Sequence, residues 1–452
     1  MNGRHRPRLY WYCRAECGTG GPQGHEAVAR VRHLGDDLSE RAADGTGGRS
    51  MVIAQMDTGH LADAVRDFDL ALEVPRRGIR AIVWQWGRRG AGPRFAAALA
   101  DGMRLIPGTE VVLSLSTGAE ILRGPDPPDC QFPVATYSSV SGLTCQWLRA
   151  PFIVARLARR LAALDPDLAI CAMPGPLDLM VLAALRWTGT PSVVIVHDAD
   201  PHPGDMTPFL MFLQRRLIRR ADAVAVLSQH VAERLRQQRV VDPNRLFVIS
   251  HPPFVFGPPP PPPRAHGGPM RLLCFGRLLP YKGLDLLARA IRQLEPQPGW
   301  ELRVVGSGPE SAELAALRAL PSVTVENRWV PEEEIGTLIA WCDALVLPYR
   351  EASHSGVAPA VIAARRSVVS TRVGGLVEQL NGEPLATLCE PDATSLAAAL
   401  RGVLRAPPPS PRDMAPVDSS LAWRDAAERL LGRAISRSRS APLPQFGRGR
   451  RV

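Results

Sequence analysis

The sequence lacks any apolar run long enough to cross a membrane. No stretch of about eighteen consecutive apolar residues occurs in the 452-residue chain, and a membrane-spanning helix needs about twenty. The first part of the chain also lacks the apolar core of a signal peptide. We therefore expect a cytoplasmic protein with no membrane-spanning helix.

Cysteine is too sparse for a disulfide framework. Eight cysteines are spread along the chain, most of them inside apolar runs, as is ordinary for buried thiols in a reducing compartment. Cys13 and Cys17 are close in sequence, but no second pair or histidine cluster completes a zinc site. We expect no metal.

Acidic residues are missing from the C-terminal end, and this absence accounts for most of the net charge of +10. Residues 433–452 contain six arginines and no acid, whereas residues 51–432 are close to neutral. The core is therefore not a nucleic-acid binder by charge. We expect the tail to be disordered and solvated, with contact to RNA or to anionic lipid at the inner membrane face as the alternative.

Two series of short apolar strands alternate with amphipathic helices, a pattern typical of doubly wound parallel sheets. The first series occupies residues 78–251 and the second residues 270–432. Between them, residues 252–269 include six consecutive prolines, which form a stiff, extended linker. The predicted fold class is α/β, with two Rossmann-like domains facing a cleft.

The ends of the chain are less regular. Residues 1–77 are predicted to be disordered or an extra N-terminal segment, although residues 51–77 have the spacing of one helix. The last helix, Leu421–Arg433, follows a second proline-rich stretch and can pack back on the first domain.

The loop after strand Arg271–Phe275 places two cations where open α/β sheets bind ligands. Gly276 ends the strand and a helix begins at Leu284, so Arg277 and Lys282 lie at the carboxyl edge of the sheet. Fixed cations beside a helix N-terminus suit a diphosphate. The alternative is a loop whose basic residues are merely solvated.

Four stretches of the second half carry a family resemblance. They are Phe275–Asp285, Val305–Glu310, Asp343–Pro348 and Val368–Glu378. In order and spacing they resemble the retaining, nucleotide-sugar-dependent glycosyltransferases of family four, which have the two-Rossmann architecture called GT-B. The first half is similar more loosely, through the glycine loop 87–92 and the strand end Val196–Asp198.

The resemblance implies that the second domain holds a nucleotide-sugar donor and the first domain an acceptor. Arg277 and Lys282 would hold the donor diphosphate, because preplaced cations stabilise the charge that grows on the leaving group. His197 would contact the transferred sugar or the acceptor; the alternative is a histidine satisfied by nearby backbone. The other residues implied on the donor side are Gly276, Gly306, Gly308, Glu351, Ser355, Gly356, Val357 and Glu378, and on the acceptor side Gly90, Gly92 and Asp198. Glu378 is either a donor contact or a carboxylate at a helix start.

The chain departs from the family at a pair of glutamates that commonly lie eight residues apart. The aligned positions here are Ala352 and Ala360, with Glu351 one residue before the first and Pro359 one before the second. In the family the second glutamate ordinarily binds the ribose hydroxyls of the donor, and Ala360 puts that contact in question.

Two other ligand-binding patterns are present only in part. Gly306 and Gly308 begin a dinucleotide fingerprint, but Ser311 stands where the third glycine should be. Asp198 and Asp200 form an Asp-x-Asp at a strand end, the metal-holding pattern of the other glycosyltransferase fold. We therefore expect no NAD, no divalent metal and no other cofactor.

The predicted function is transfer of a sugar from a nucleotide-diphosphate donor to a glycan, lipid-linked or small-molecule acceptor, with retention at the anomeric carbon. One alternative is a nucleotide-sugar epimerase on the same fold, which needs no acceptor. The other is a non-catalytic, nucleotide-sugar-binding scaffold. Fold alone does not separate these three.

Overall fold

The computed structural model describes residues 78–202, 208–256, 260–294, 299–407 and 418–440, with side chains up to residue 435 in the last range. The predictions for residues 1–77, the helix over 51–77 included, fall outside the described residues, as does the tail beyond residue 440. Within the described ranges, no helix combines the length and the hydropathy that crossing a membrane requires.

The first domain is built on a six-stranded parallel sheet. Its strands are β1 (Ile79–Gln85), β2 (Thr109–Leu115), β3 (Leu168–Cys171), β4 (Ser192–Val196), β5 (Ala223–Val226) and β6 (Leu246–Val248), in the spatial order β2-β1-β3-β4-β5-β6. Its helices are α1 (Ala91–Arg104), α2 (Val140–Leu148), α3 (Ala150–Leu164), α4 (Asp178–Thr188), α5 (Pro208–Arg220) and α6 (Gln229–Gln237). The strand order reverses between β1 and β3, which opens a crevice at their carboxyl ends.

The second domain repeats this plan. Its strands are β7 (Met270–Phe275), β8 (Trp300–Gly306), β9 (Val323–Asn327), β10 (Ala344–Leu347), β11 (Ser367–Thr371) and β12 (Ala386–Cys389), in the order β12-β11-β10-β7-β8-β9. Its helices are α7 (Leu284–Leu294), α8 (Ala312–Arg318), α9 (Glu332–Trp341), α10 (Ala358–Ala363), α11 (Gly375–Leu380), α12 (Ala393–Arg405) and α13 (Ser419–Ser440). Here the reversal lies between β7 and β10. The predicted α/β fold with two Rossmann-like domains is confirmed.

Local sequence explains where several helices begin and end. The hydroxyls of Ser139, Ser228 and Ser311 accept a hydrogen bond from the backbone N–H three residues on, at the starts of α2, α6 and α8. Asp392 does the same for α12. Such caps satisfy amides that have no partner inside the helix. Gly189 ends α4 in the left-handed region, with a φ of 77°, which glycine adopts without strain.

One hydrophobic core runs through both domains. It includes Phe95 of α1, Ile195 of β4, Leu345 of β10 and Trp423 of α13. The last helix crosses back to α1 of the first domain, where Gly102 lies against Trp423, and Trp423 Nε1 donates to the carbonyl of Pro253 in the linker at 2.9 Å. A shared core of this kind couples the two domains, because neither can move without disturbing apolar contacts of the other.

Three elements differ from the sequence-based prediction. Helix α2 was not predicted, because Gly142 and two hydroxyl residues interrupt its apolar pattern. Strand β6 was not predicted either, because it has only three residues. The last helix does not end at Arg433: it continues to Ser440, into the stretch predicted as a disordered tail. Ala434 is buried and Ile435 packs against the core, so the apolar face extends past Arg433.

Candidate functional site

Lys282 and Arg277 lie at the carboxyl edge of β7, beside the crevice between β7 and β10. The Lys282 Nζ is 3.7 Å from the centre of the Tyr349 ring and 5.1 Å from that of Tyr281. Arg277 Nη2 donates to the Tyr281 hydroxyl at 3.1 Å. Aromatic faces hold a cation without cancelling its charge, so these contacts position the ammonium group for an anion. Lys282 is the only lysine in the chain.

Glycines bring the loops after β7 and β8 into contact. A Cβ at Gly306, where φ is 153°, would lie 1.7 Å from the Gly276 carbonyl oxygen. A Cβ at Gly308 would lie 2.2 Å from the Leu278 carbonyl oxygen. Both distances are far below any tolerable contact, so these predicted donor-side glycines are required for the shape of the loops beneath the crevice.

The loop before α10 contains Ser355, Gly356 and Val357, three of the residues that the resemblance puts on the donor side. Ser355 N–H donates to Gln379 Oε1 at 2.9 Å, and Ser355 Oγ accepts from the N–H groups of Val357 and Ala358 at 3.3 Å each. In the part of the chain that the structure describes, the N–H of Gly356 has no acceptor. Of the backbone amides of these three residues, that of Gly356 is therefore the one available to a ligand in this conformation.

The glycine loop of the first domain, residues 87–92, faces the loop before α10. A Cβ on Gly356 would lie 3.8 Å from the Ala91 Cβ at the start of α1. One turn further, Arg94 Nε donates to Glu332 Oε1 at the start of α9, at 2.6 Å. The N-terminus of α1 is thus held against the second domain by packing and by an ion pair, and the two domains touch along the cleft.

The two acceptor-side glycines have different surroundings. Gly90 precedes α1 with a φ of 83° and open space where a Cβ would be. A Cβ on Gly92 would lie 2.7 Å from Gln85 Nε2 and 3.2 Å from Met173 Sδ. Glycine is therefore needed at position 90 because of the positive φ, whereas at position 92 the absence of a Cβ allows the loops after β1 and β3 to pack together.

His202 joins the two domains across the cleft. Its Nε2 is 3.2 Å from Asp198 Oδ1 of the first domain, and its Nδ1 is 3.3 Å from Glu351 Oε1 of the second. Its ring stacks on Tyr281 with centroids 4.4 Å apart. Burial alone would lower the pKa of His202, but the two carboxylates outweigh it and raise that pKa. Since both ring nitrogens face carboxylates, the arrangement favours the imidazolium.

The His202 bridge predicts a pH-dependent stability. A histidine whose pKa is raised on folding stabilises the protein fully below its unfolded pKa, near 6.5, and loses that contribution as pH rises through the folded pKa. We expect His202→Gln to cost about 1 kcal/mol of the free energy of unfolding at pH 5.5, and the difference from wild type to shrink towards pH 8.5.

Other histidines change the free energy of unfolding with pH in the opposite direction. The contribution of His202 is therefore obtained only from the difference in this free energy between wild type and variant at each pH. Burial lowers the pKa of His197, His251 and His354, and their contribution is lost as pH falls below 6.5. Urea unfolding at a series of pH values gives the comparison. A wild-type-to-variant difference that stays constant from pH 5.5 to 8.5 contradicts the charged bridge.

His197 is buried at the end of β4 among rings from both domains. Its Nε2 donates to the Ala172 carbonyl oxygen at 2.8 Å. The ring meets Phe95 edge-on at 4.8 Å and lies 5.3 Å from that of His354. Burial, reinforced by His354, lowers the pKa of His197 to about 3. The imidazole is therefore neutral, and backbone satisfies the nitrogen that carries its proton.

The carboxylates of the Asp-x-Asp segment have different partners. Asp198 faces His202, whereas Asp200 accepts from Arg234 Nε at 2.8 Å and from Gln238 Nε2 at 2.7 Å. Burial opposes ionisation of Asp198, but the hydrogen bond from His202 and the nearby histidines outweigh it and lower its pKa. Among the described residues, no group of three or more His, Cys, Asp or Glu side chains is arranged to hold a metal ion.

Glu378 contacts the first domain. Its two carboxylate oxygens accept from the backbone N–H groups of Gln229 and His230 at 2.6 and 2.7 Å, at the N-terminus of α6. Negative charge is favourable there, because these amides have no partner within the helix and the helix dipole is positive at that end. In this structure Glu378 is a carboxylate at the start of a helix of the opposite domain, and its role as a donor contact stays a prediction.

The positions of the missing glutamates are filled by apolar packing. Ala352 and Ala360 are both buried. Gly375 N–H donates to the Ala352 carbonyl at 3.1 Å, and a Cβ on Gly374 would lie 1.9 Å from the same oxygen. The neighbouring carboxylate, Glu351, is the one turned to His202.

Sequence reasoning missed several residues that complete the site. Tyr281, Tyr349, His202 and His354 surround the cations and the histidines of the cleft. Tyr281 lies inside a stretch that carries the family resemblance and could have been selected from it. The two histidines lie in loops whose partners belong to the other domain, so spacing along the chain gives no signal for them.

Two protein-family models match adjacent parts of the chain. The one described as Glycosyltransferase Family 4 matches residues 68–252, and the one described as Glycosyl transferases group 1 matches residues 269–406. The first match covers the whole of the first sheet and the second the whole of the second. The gap between them falls in the proline-rich linker.

Two relatives of known name share about a quarter of the aligned residues with this chain. Glycogen synthase of Mycobacterium tuberculosis is 27% identical over 237 residues, which cover 50% of this chain and 57% of that protein. The chain thus spans little more than half the length of this relative. A GDP-mannose-dependent alpha-(1-6)-phosphatidylinositol monomannoside mannosyltransferase of Mycolicibacterium smegmatis is 26% identical over 303 residues, covering 60% of this chain and 76% of that protein.

Solved structures share the fold. The Anabaena protein HepE in complex with UDP and glucose has a TM-score of 0.57 and 16% identity, covering 80% of this chain and 99% of that one. Sucrose-phosphate synthase of Thermosynechococcus elongatus has a TM-score of 0.55 and 16% identity, covering 80% and 98%. At such identities the likeness concerns the arrangement of the two domains.

Proposed function

This chain belongs to the GT-B glycosyltransferases, with a family 4 domain followed by a group 1 domain, and on that premise we propose that it transfers a sugar from a nucleoside-diphosphate donor to an acceptor hydroxyl. The observation that carries the proposal is the placement of Arg277 and Lys282 at the crevice between β7 and β10. Breaking the bond to the sugar leaves negative charge on the diphosphate. Cations already in position stabilise that charge without reorganisation.

The transfer proceeds with retention at the anomeric carbon. The acceptor hydroxyl attacks on the face that the diphosphate leaves, and a departing phosphate oxygen accepts the proton of that hydroxyl. This route needs no carboxylate nucleophile on the protein. The contacts of His202 and Glu378 across the cleft hold the two domains together. A closed cleft excludes water and so protects the donor from hydrolysis.

The acceptor is a hydroxyl of a glycan or a glycolipid. Two relatives support this class, since one is named for glycogen and the other for a phosphatidylinositol monomannoside. The first domain presents the acceptor side of the cleft through the loop at Gly90 and Gly92 and through Asp198. The neutral His197 adds a ring that contacts the transferred sugar.

Thermal unfolding in the presence of nucleotides tests the donor site. We expect one of UDP, GDP and ADP, or its sugar conjugate, to raise the Tm, because a ligand at one hundred times its Kd adds about 2.7 kcal/mol of stability. Lys282→Met should abolish the shift, whereas Arg289→Met, at an exposed arginine of α7 paired with Asp285, should retain it. No shift with any of these ligands contradicts the proposal.

Transfer itself is tested with the sugar conjugate that gives the largest shift. Incubation with candidate acceptors should release the nucleoside diphosphate, and the NMR coupling at the anomeric carbon of the product should match that of the donor. An epimerase would convert the donor alone, and a scaffold would release no diphosphate with any acceptor. Inversion at the anomeric carbon overturns the retaining route but leaves the donor site in place.

A further inference from the structure

The hairpin formed by α2 and α3 exposes large apolar side chains. None of the nine residues of α2 is buried. Val140 is 83% exposed, Leu148 78% and Phe152 79%, which are the highest values for large apolar residues in the described chain. Leu148 and Phe152 stand on either side of the turn between the two helices. Burying such surface is favourable, so exposure of this extent marks an interaction site.

The charge of the hairpin has one sign. Residues 131–164 contain no aspartate or glutamate and four arginines, at positions 149, 156, 159 and 160. The Arg160 guanidinium lies 3.8 Å from the centre of the Phe132 ring, and Arg159 Nε donates to the Ala155 carbonyl at 3.5 Å. Within the described residues, none of the four forms an ion pair. Their charge is therefore uncompensated locally.

The hairpin lies at the cleft end of the first domain. Helix α3 ends at Leu164, just before β3 starts at Leu168, so the helix runs antiparallel to the sheet. Its first residues, including Phe152, therefore lie at the carboxyl edge of the strands, where the crevice opens. Helix α5 also begins at this edge and packs on the same face of the sheet.

Helix α5 repeats the combination of apolar and basic residues. Phe209 and Phe212 are about half exposed near its start. Four arginines follow in the same helix, at positions 215, 216, 219 and 220, and it contains no acid. The basic, apolar character of the hairpin thus continues along one face of the domain.

We propose that the α2–α3 hairpin docks this protein on the surface of a membrane that contains anionic phospholipid. The side chains of Leu148 and Phe152 enter the boundary between headgroups and acyl chains, and Arg149 and Arg156 contact the lipid phosphates. A surface that combines exposed apolar side chains with arginines binds membranes by burying apolar area and by attraction to anionic lipid. Docking at the cleft end brings a lipid-linked acceptor within reach, a consequence that rests on the proposed function, whereas docking itself does not.

Vesicle flotation of the full chain tests the proposal. Wild type should float with vesicles of phosphatidylcholine mixed with phosphatidylglycerol, should remain behind with phosphatidylcholine alone, and should be released by salt. The double variants Leu148→Ser/Phe152→Ser and Arg149→Glu/Arg156→Glu should each lower the partition coefficient at least about tenfold. Both should keep the nucleotide-dependent rise in Tm, which separates a failure of docking from a failure of the donor site.

Matched controls distinguish the hairpin from other exposed groups. Trp187→Ser removes an aromatic ring that is 69% exposed at the other end of the first domain, and Arg292→Glu reverses a charge on α7; both should float as wild type does. A chain that ends at Ser440 should float too. The proposal is overturned by a wild type that does not float with the mixed vesicles, by hairpin variants that float unchanged, or by loss of flotation on removal of residues 441–452 alone.

Discussion

Lys282→Met is expected to lower kcat/KM for sugar transfer by about 10²- to 10³-fold, the effect of removing one preplaced group that stabilises developing negative charge, or about 2.7–4 kcal/mol. Methionine keeps an unbranched stem against the rings of Tyr281 and Tyr349, so the loss reports the ammonium charge. Initial rates over a range of donor concentrations give the measurement. Since the charge matters most when the bond breaks, kcat should fall as well as the apparent donor affinity.

Two comparisons make the Lys282 result interpretable. Arg289→Met removes a cation of the same domain that is bound to Asp285 on the surface, and should leave kcat/KM unchanged. The Tm of both variants without ligand should equal that of wild type. Because Lys282 is the only lysine, reductive methylation with ¹³C-formaldehyde labels one side-chain amine, whose NMR signal should shift when donor binds. Full activity of Lys282→Met removes the basis of the diphosphate site.

Gly306→Ala is expected to lower the free energy of unfolding by at least about 3 kcal/mol and to abolish nucleotide binding. The φ of 153° is one that residues with a Cβ rarely adopt, and the added Cβ would lie 1.7 Å from the Gly276 carbonyl oxygen. The loop that carries Arg277 must then move away from the loop after β8. Urea unfolding and the nucleotide-dependent rise in Tm measure the two effects.

Gly382→Ala separates backbone strain from steric overlap. Gly382 also has a positive φ, of 75°, but nothing lies within 4 Å of the position that its Cβ would take. Its replacement should cost only the strain of the left-handed conformation, about 1–2 kcal/mol, and should leave nucleotide binding intact. Equal losses in the two variants mean that the close approach of Gly276 and Gly306 does not exist in solution.

The sequence was sufficient for every strand of the two sheets except β6, because the other strands are short, continuous apolar runs. Such runs are typical of strands covered on both faces by helices, and the strands of both sheets lie within the two predicted series, residues 78–251 and 270–432. The order strand, loop, helix also put Arg277 and Lys282 at the correct edge of the second sheet. These inferences depend on neighbours in the chain, which a sequence displays directly.

Contacts between the domains could not be predicted in the same way. His202 meets Glu351, and Glu378 meets the start of α6, only because the second domain is folded against the first. Each pair is about 150 residues apart, and no periodicity connects residues at such a separation. Helix α2 escaped prediction for a different reason, since a helix without buried residues has no clear apolar stripe.

The return of α13 to the first domain sets an order on biosynthesis. The main chain of Trp423 lies so close to α1 that a Cβ on Gly102 would be 2.6 Å from it, and Leu430 and Leu431 belong to the core that Phe95 also enters. Nascent domains generally fold from the N-terminus as they leave the ribosome. We therefore expect the face of α1 that α13 covers to stay uncovered until α13 has been translated, so the first of the two domains is completed only after the second.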